Sequence, residues 1–333
     1  MEHVSEQTLD PLSTQIPERI AYFPISFFAM VMGLSGLTIA WEKAQHVFGI
    51  NIGISLLLLL VTTLVFGTFA VIYTKKVLRY RDSVLAEMRH PVKLSFFPTI
   101  SISFLLLAVA FLEFSSGISL VLWLSGITLH LFFTLFVINS WMHHEHFQIQ
   151  HVNPAWFIPA VGNVLVPIAG IPLGFQEVSW FFFSIGMLFW VILMTIIFYR
   201  VLFHAPIDAR LLPTLFILIA PPAVGFLAYM RLTGGEPDAF ARFLYFSGLF
   251  LTLLLVSQLP RFAKLNFALS WWAYSFPTAA ITIASFVMYE QLGKSFYLWL
   301  ATILLVVLSA LIGLLLTRTL KTARKGMICT PEH

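Results

Sequence analysis

The sequence predicts an all-α integral membrane protein with ten transmembrane helices in five tandem helical hairpins. An inner ring of five Pro-kinked helices would surround a central pore, and five straight helices would form an outer ring. Three observations carry this expectation. Hydrophobic residues make up 59% of the chain and charged ones only 10%, whereas an ordinary soluble domain is about 25% charged. Apolar stretches long enough to span a bilayer recur in pairs along the chain. Proline falls on one member of each pair and spares the other.

Residues 1–20 form the first unit, a cytoplasmic N-terminal segment. Glu2, Glu6, Asp10 and Glu18 stand there, where a cleavable signal would carry a basic region. The spanning domain, 21–317, holds ten apolar segments at 22–41, 49–73, 95–112, 118–139, 155–174, 179–199, 211–230, 239–258, 267–289 and 295–316. Gaps within pairs are short, and the pairs start 56 to 73 residues apart, which is the mark of an internal repeat.

The odd segments open alike, with aromatic or leucine residues running into a proline. They carry Tyr22-Phe23-Pro24, Phe96-Phe97-Pro98, Trp156-Phe157-Ile158-Pro159, Leu211-Leu212-Pro213 and Tyr274-Ser275-Phe276-Pro277. Pro167, Pro172, Pro221 and Pro222 add further breaks, the last two predicting a strong bend in the seventh segment. The even segments contain no proline. Proline removes a backbone donor and clashes one turn back, and inside a bilayer the freed carbonyl must be satisfied by protein or by a wet cavity. The odd helices are therefore expected inside and the even ones against lipid. Pro24, Pro98, Pro159, Pro167, Pro213, Pro221 and Pro277 become candidate pore-lining kinks.

Fifteen of the nineteen Lys and Arg residues fall on one side of this topology. They include the 74–94 loop and the basic tail, 318–333. The positive-inside rule then puts both termini in the cytoplasm, in what is expected to be a bacterial inner (plasma) membrane. The net charge of +4 suits a basic membrane face rather than nucleic-acid binding. Cys329 is the sole cysteine, so no intrachain disulfide exists.

Within the ten predicted spans no Asp, Glu, Lys or Arg lies in a core; Glu113 and Glu290 sit at segment ends. Intramembrane acids mark proton-coupled pumping, so their scarcity favours passive conduction. Ser26, Thr99, Ser101 and Asn163 are the candidate polar groups of the pore. His143, His144, His146 and His151 crowd one linker with Glu145; a polar helix end accounts for them, and neither a metal nor a cofactor is expected. His130, inside the fourth segment, reads as a buried interhelical hydrogen-bonder. No convergent nucleophile or acid–base set points to an enzyme.

Four stretches, GLSGLTIAW at 33–41, RHPVKLSFFP at 89–98, NPAWFIPAVGN at 153–163 and WWAYSFPTAA at 271–280, resemble the tellurite-resistance/dicarboxylate transporter family. That family includes bacterial TehA and the plant guard-cell slow anion channels. The resemblance spans about 20–320 and implies a homotrimer with a separate pore in each protomer. It also implies a phenylalanine gate on the ninth helix, which in this sequence is Phe276; Tyr274 or Trp272 would stand there if the register slipped.

The expected function is then a passive anion channel. Without a tight charged site it should favour easily dehydrated anions, nitrate over chloride over fluoride. The competing expectation is a carrier that exports a dicarboxylate, sulfite or tellurite-related oxyanion on the same fold. The bilayer and inorganic anions are the expected partners.

Overall fold

The computed structural model describes residues 19–50, 52–143 and 147–330, and among them every regular element is helical. Eight helices are long and apolar enough to cross a membrane, so the protein is an integral membrane protein. They are Ile25–Phe48, Ile54–Arg79, Lys93–Phe111, Ser116–His143, Gln176–Phe203, Leu212–Thr233, Ala239–Val256 and Ser295–Arg324. These correspond to eight of the ten predicted segments.

The remaining two, the fifth and the ninth, are helical but differ in kind. The fifth is the shorter apolar stretch Pro154–Gly170, in which 3-10 turns alternate with the brief α-helices Phe157–Val161 and Val166–Gly170. The ninth joins the 3-10 turn Leu269–Tyr274 to the α-helix Ser275–Leu292, whose apolar character is diluted by Ser275, Thr278, Thr282 and Ser285.

Burial separates odd from even segments. In the first, third and seventh, 72% to 83% of the spanning window is buried within the protein. In the even segments the share is 22% to 39%, and large apolar side chains such as Leu64, Leu135, Val191, Phe250 and Val306 face outward. Contacts between odd segments run from the first to the third, fifth, seventh and ninth, and the ninth returns to the first. Those five close on one another as a ring.

Backbone geometry explains where the prolines sit. Each odd segment begins with, or contains, a 3-10 turn, the longest being Leu212–Ile219. The even spans are continuous α-helix. Pro159, Pro167, Pro213, Pro221, Pro222 and Pro277 all lie in the first turn of a helical element, and Pro24 and Pro98 cap one. A first-turn N–H has no partner within its helix, so proline there removes no bond. The expected interior kinks are thus 3-10-to-α junctions, including the one at Pro221-Pro222.

The carbonyls left over at these junctions are satisfied by neighbouring even helices. Thr134 Oγ1 donates to the Pro159 carbonyl at 2.7 Å and Trp123 Nε1 to that of Val166 at 3.0 Å. Lys76 Nζ donates to the Phe23 carbonyl at 2.8 Å and pairs with Glu87 Oε2 at 3.0 Å, almost wholly out of solvent. Tyr73 donates to the same Glu87 oxygen, which fixes the short helix Arg81–Arg89 beside the first segment.

Several helices outrun their apolar stretches. The second continues through Lys76 to Arg79, the tenth through Arg318 to Arg324, and the first through Glu42 and Lys43 to Phe48. Helix hydrogen bonding does not stop where lipid preference does. The first, seventh and ninth segments end on Gly49, Gly234 and Gly293, each with φ of 64°. A left-handed glycine closes the helix and turns the chain into the next one, a repeated punctuation that supports the tandem reading.

Candidate functional site

Three cavities open among the odd segments. The largest, about 670 Å³, is walled by Gly36 and Ile39 of the first segment, Leu106 and Val109 of the third, Leu165 and Ile168 of the fifth, Val224 and Leu227 of the seventh, and Phe276, Ala280 and Ile283 of the ninth. A second, of about 570 Å³, is lined by Pro24, Ser26 and Met32, by Glu87, His90 and Lys93, by Asp208 and Arg210, and by Trp272, Phe276 and Pro277. A small space of about 50 Å³ carries Met32, Ile102, Ile158, Val161, Leu165, Ile217, Pro221, Val224 and Phe276. No even spanning segment contributes to any of the three among the described residues.

Phe276 is common to all three, and it is the one described residue that lines both large cavities. Its position follows from the local backbone. The 3-10 turn Leu269–Tyr274 hands over to α-helix at Ser275, whose hydroxyl donates to the Trp272 carbonyl at 2.6 Å. Thr278 donates to the Tyr274 carbonyl at 2.7 Å. Trp272 Nε1 donates to Thr319 Oγ1 of the tenth segment at 3.1 Å, which makes it a buried brace.

Opposite stands the first segment, brought close by glycines. A Cβ on Gly33 would collide with Ser275; one on Gly36 would lie 2.7 Å from Ala279 Cβ and 3.5 Å from Phe276 Cδ2. The phenyl ring therefore sits where two helices meet at glycine distance, with Met32, Ile158, Ile217 and Val224 around the small space beside it. That collar is apolar and would offer a hydrated ion no compensating dipole.

The charged groups lie at the far ends. Around the larger cavity are Glu42, Lys43, His46, Glu113, Arg231 and Glu290. Lys43 pairs with Glu290 at 2.5 Å, whereas Glu42 Oε2 is buried without a hydrogen-bond donor. Around the other are Glu87, held by Lys76 and Tyr73, and Asp208, which accepts from the Arg210 backbone N–H at 2.7 Å. His90 Nδ1 accepts from the Val92 and Lys93 amides.

Of Ser26, Thr99, Ser101 and Asn163, the candidate polar groups of the pore, only Ser26 reaches a cavity. Thr99 and Ser101 are buried and bond back to the Phe96 and Pro98 carbonyls. Ser101 also meets His130 Nδ1 at 2.9 Å. Asn163 donates to Thr134 Oγ1 and the Ala160 carbonyl. Ser101 and Asn163 tie helices together away from the cavities, while Thr99 bonds within its own segment, because a loosened 3-10 backbone is the nearer partner. Pro24, Pro277 and Pro221 line cavities, as does Pro172; Pro98, Pro159, Pro167 and Pro213 do not.

His144, Glu145 and His146 lie outside the described residues. His143 bonds the Asn139 carbonyl and His151 the Gln148 amide. Among the described residues no group of three or more His, Cys, Asp or Glu could hold a metal.

Sequence reasoning passed over Glu42 and the apolar collar. The signal for Glu42 was there: Gly36, Ile39, Lys43 and His46 share a helical face, so extending the first helix one turn past Trp41 brings its charges to the same cavity.

Residues 22–320 match the family described as voltage-dependent anion channel. The chain is 30% identical over 312 residues to S-type anion channel SLAH3 of Arabidopsis thaliana, covering 90% of this chain but only 48% of that protein. It is 26% identical to the tellurite resistance protein TehA homolog of Haemophilus influenzae, over 91% of this chain and 92% of the relative. An uncharacterized transporter of Methanocaldococcus jannaschii is 27% identical over 82% and 87% of the two chains.

Proposed function

The chain belongs to the voltage-dependent anion channel family, and we propose that it conducts anions passively through a pore closed by Phe276. In this reading residues 21–317 are a ten-helix channel domain, with five odd helices inside and five even ones outside. Residues 1–20 and the basic 318–333 tail face the cytoplasm, and each protomer of a homotrimer holds its own pore.

One observation carries the gate: Phe276 lines both large cavities and the narrow space between their walls. An aromatic ring in an apolar collar blocks a hydrated ion by denying it solvation. Taking the ring away would join the two cavities. Lys93 and Arg210 at the mouth beside Pro24 and Ser26 supply a field that draws anions toward the narrow part. The collar offers no fixed cation, so ions that shed water easily pass best: nitrate, then chloride, with fluoride last.

The test is planar-bilayer recording of the purified protein and its Phe276→Ala variant, with anions exchanged one at a time. An ohmic, anion-selective current that appears in the variant and follows that order supports the reading. Unchanged conductance in a folded variant, or cations permeating as readily as chloride, overturns it. Flux that saturates at carrier-like turnover would instead assign the fold to export of a dicarboxylate, sulfite or tellurite-related oxyanion.

A further inference from the structure

We infer that Glu42 is a proton-binding site in the wall of the larger cavity and that its charge state sets how readily anions enter from that side. The inference rests on the anion-conducting reading above and adds to it a titratable group in the path.

Placement comes first. Glu42 stands on the first segment's helix one turn beyond Ile39, in the wall of the same 670 Å³ cavity that reaches Phe276. Its Oε2 is buried and receives no hydrogen bond, so the protein leaves half of the carboxylate unsolvated. A buried side-chain oxygen without a donor calls for an explanation. Structural carboxylates in this chain are handled differently: Glu290 is paired with Lys43, and Glu87 accepts from both Lys76 and Tyr73.

The surrounding charges give the site its sign. Facing Glu42 are Glu113 after the third segment, Arg231 on the seventh and Glu290 on the ninth, with Lys43 and His46 on its own helix. Lys43 and Glu290 cancel as an ion pair. What is left is Glu42 and Glu113 against Arg231, a net charge of minus one from the carboxylates and the guanidinium. A permeant anion meets that charge as repulsion. When Glu42 takes a proton from the solution on its side the balance becomes zero, and when it returns the proton the barrier is restored. No bond other than O–H forms or breaks. By linkage, an anion in the cavity favours the protonated carboxyl as much as the protonated carboxyl favours the anion.

The experiment measures anion current through Phe276→Ala protein in bilayers while the pH on the Glu42 side is varied from 5 to 9. Current should fall about tenfold as pH rises, the size expected for one unit charge acting across a partly solvated cavity. In the Phe276→Ala/Glu42→Gln double variant the current should stay near its low-pH level throughout. If the glutamine protein does not fold, Glu42→Ala replaces it with the same expectation. A flat response in Phe276→Ala, or an unaltered slope in the double variant, overturns the inference alone. Absence of anion current from Phe276→Ala at every pH overturns the conducting reading, and this inference with it.

Discussion

The odd and even segments of this protein are both strongly apolar, yet they solve opposite problems. An even helix such as Ser295–Arg324 satisfies its own backbone and turns Trp299, Ile303 and Val306 outward. An odd one such as Pro154–Gly170 is broken into short turns and hides nearly every side chain. The difference teaches that breakage is a reason for burial. An interrupted backbone cannot face lipid, because each freed carbonyl needs a donor. Here the donors are Lys76, Trp123 and Thr134, all on even helices. The even helices thus supply hydrogen bonds that the broken odd ones lack.

The sharpest contrast between the sets is functional. Phe276→Ala should raise anion current at least about tenfold, the change produced by lowering a barrier by roughly 1.4 kcal/mol. Phe250→Ala, which removes an outward-facing ring of the eighth segment, should leave current unchanged. Paired bilayer recordings check both, and equal effects would erase the distinction between inside and outside.

On stability, the largest effect belongs to the buried charge that ties the second segment to the first. Lys76→Met strands Glu87 and the Phe23 carbonyl, and breaking such a pair costs about 3–5 kcal/mol. Thermal unfolding in detergent should show a large drop, partly recovered by adding Glu87→Gln. If the single variant is as stable as the parent, even helices do not support the breaks.

Glycine offers a comparison of intermediate size. Gly36→Ala drives a methyl toward Ala279 and should cost about 1–3 kcal/mol as overpacking. Gly67→Ala on the second segment meets open space and should gain up to about 1 kcal/mol in helix propensity. Opposite signs in the same melting assay are the expected outcome.

The smallest effect separates two threonines of one helix. Thr134→Val removes the donor to the Pro159 carbonyl and should cost about 1–2 kcal/mol. Thr128 is exposed and bonds only within its own helix, so Thr128→Val should stay within about 0.5 kcal/mol.

Much of the fold was legible because it is written locally. Paired apolar runs located eight membrane-length helices, and proline confined to alternate segments foretold which would be buried. Hydropathy read helix ends short, since it records lipid preference; Lys76, Arg79 and Arg318–Arg324 remain helical beyond it. It likewise missed Glu42, one residue past an apolar edge. The polar candidates were harder. Ser26 and Thr99 follow prolines in similar contexts, yet one lines a cavity and the other bonds back to Phe96.

From the chain alone came the membrane class, the apolar spans and the breaks on alternate segments, since composition, spacing and proline act on the residues that carry them. Which side chains look into the cavities was left to tertiary structure. The rotation of each helix is set by distant partners, as when Gly33 and Gly36 of the first segment seat Ser275 and Phe276 of the ninth. That contact joins residues more than two hundred positions apart, and no local pattern encodes it.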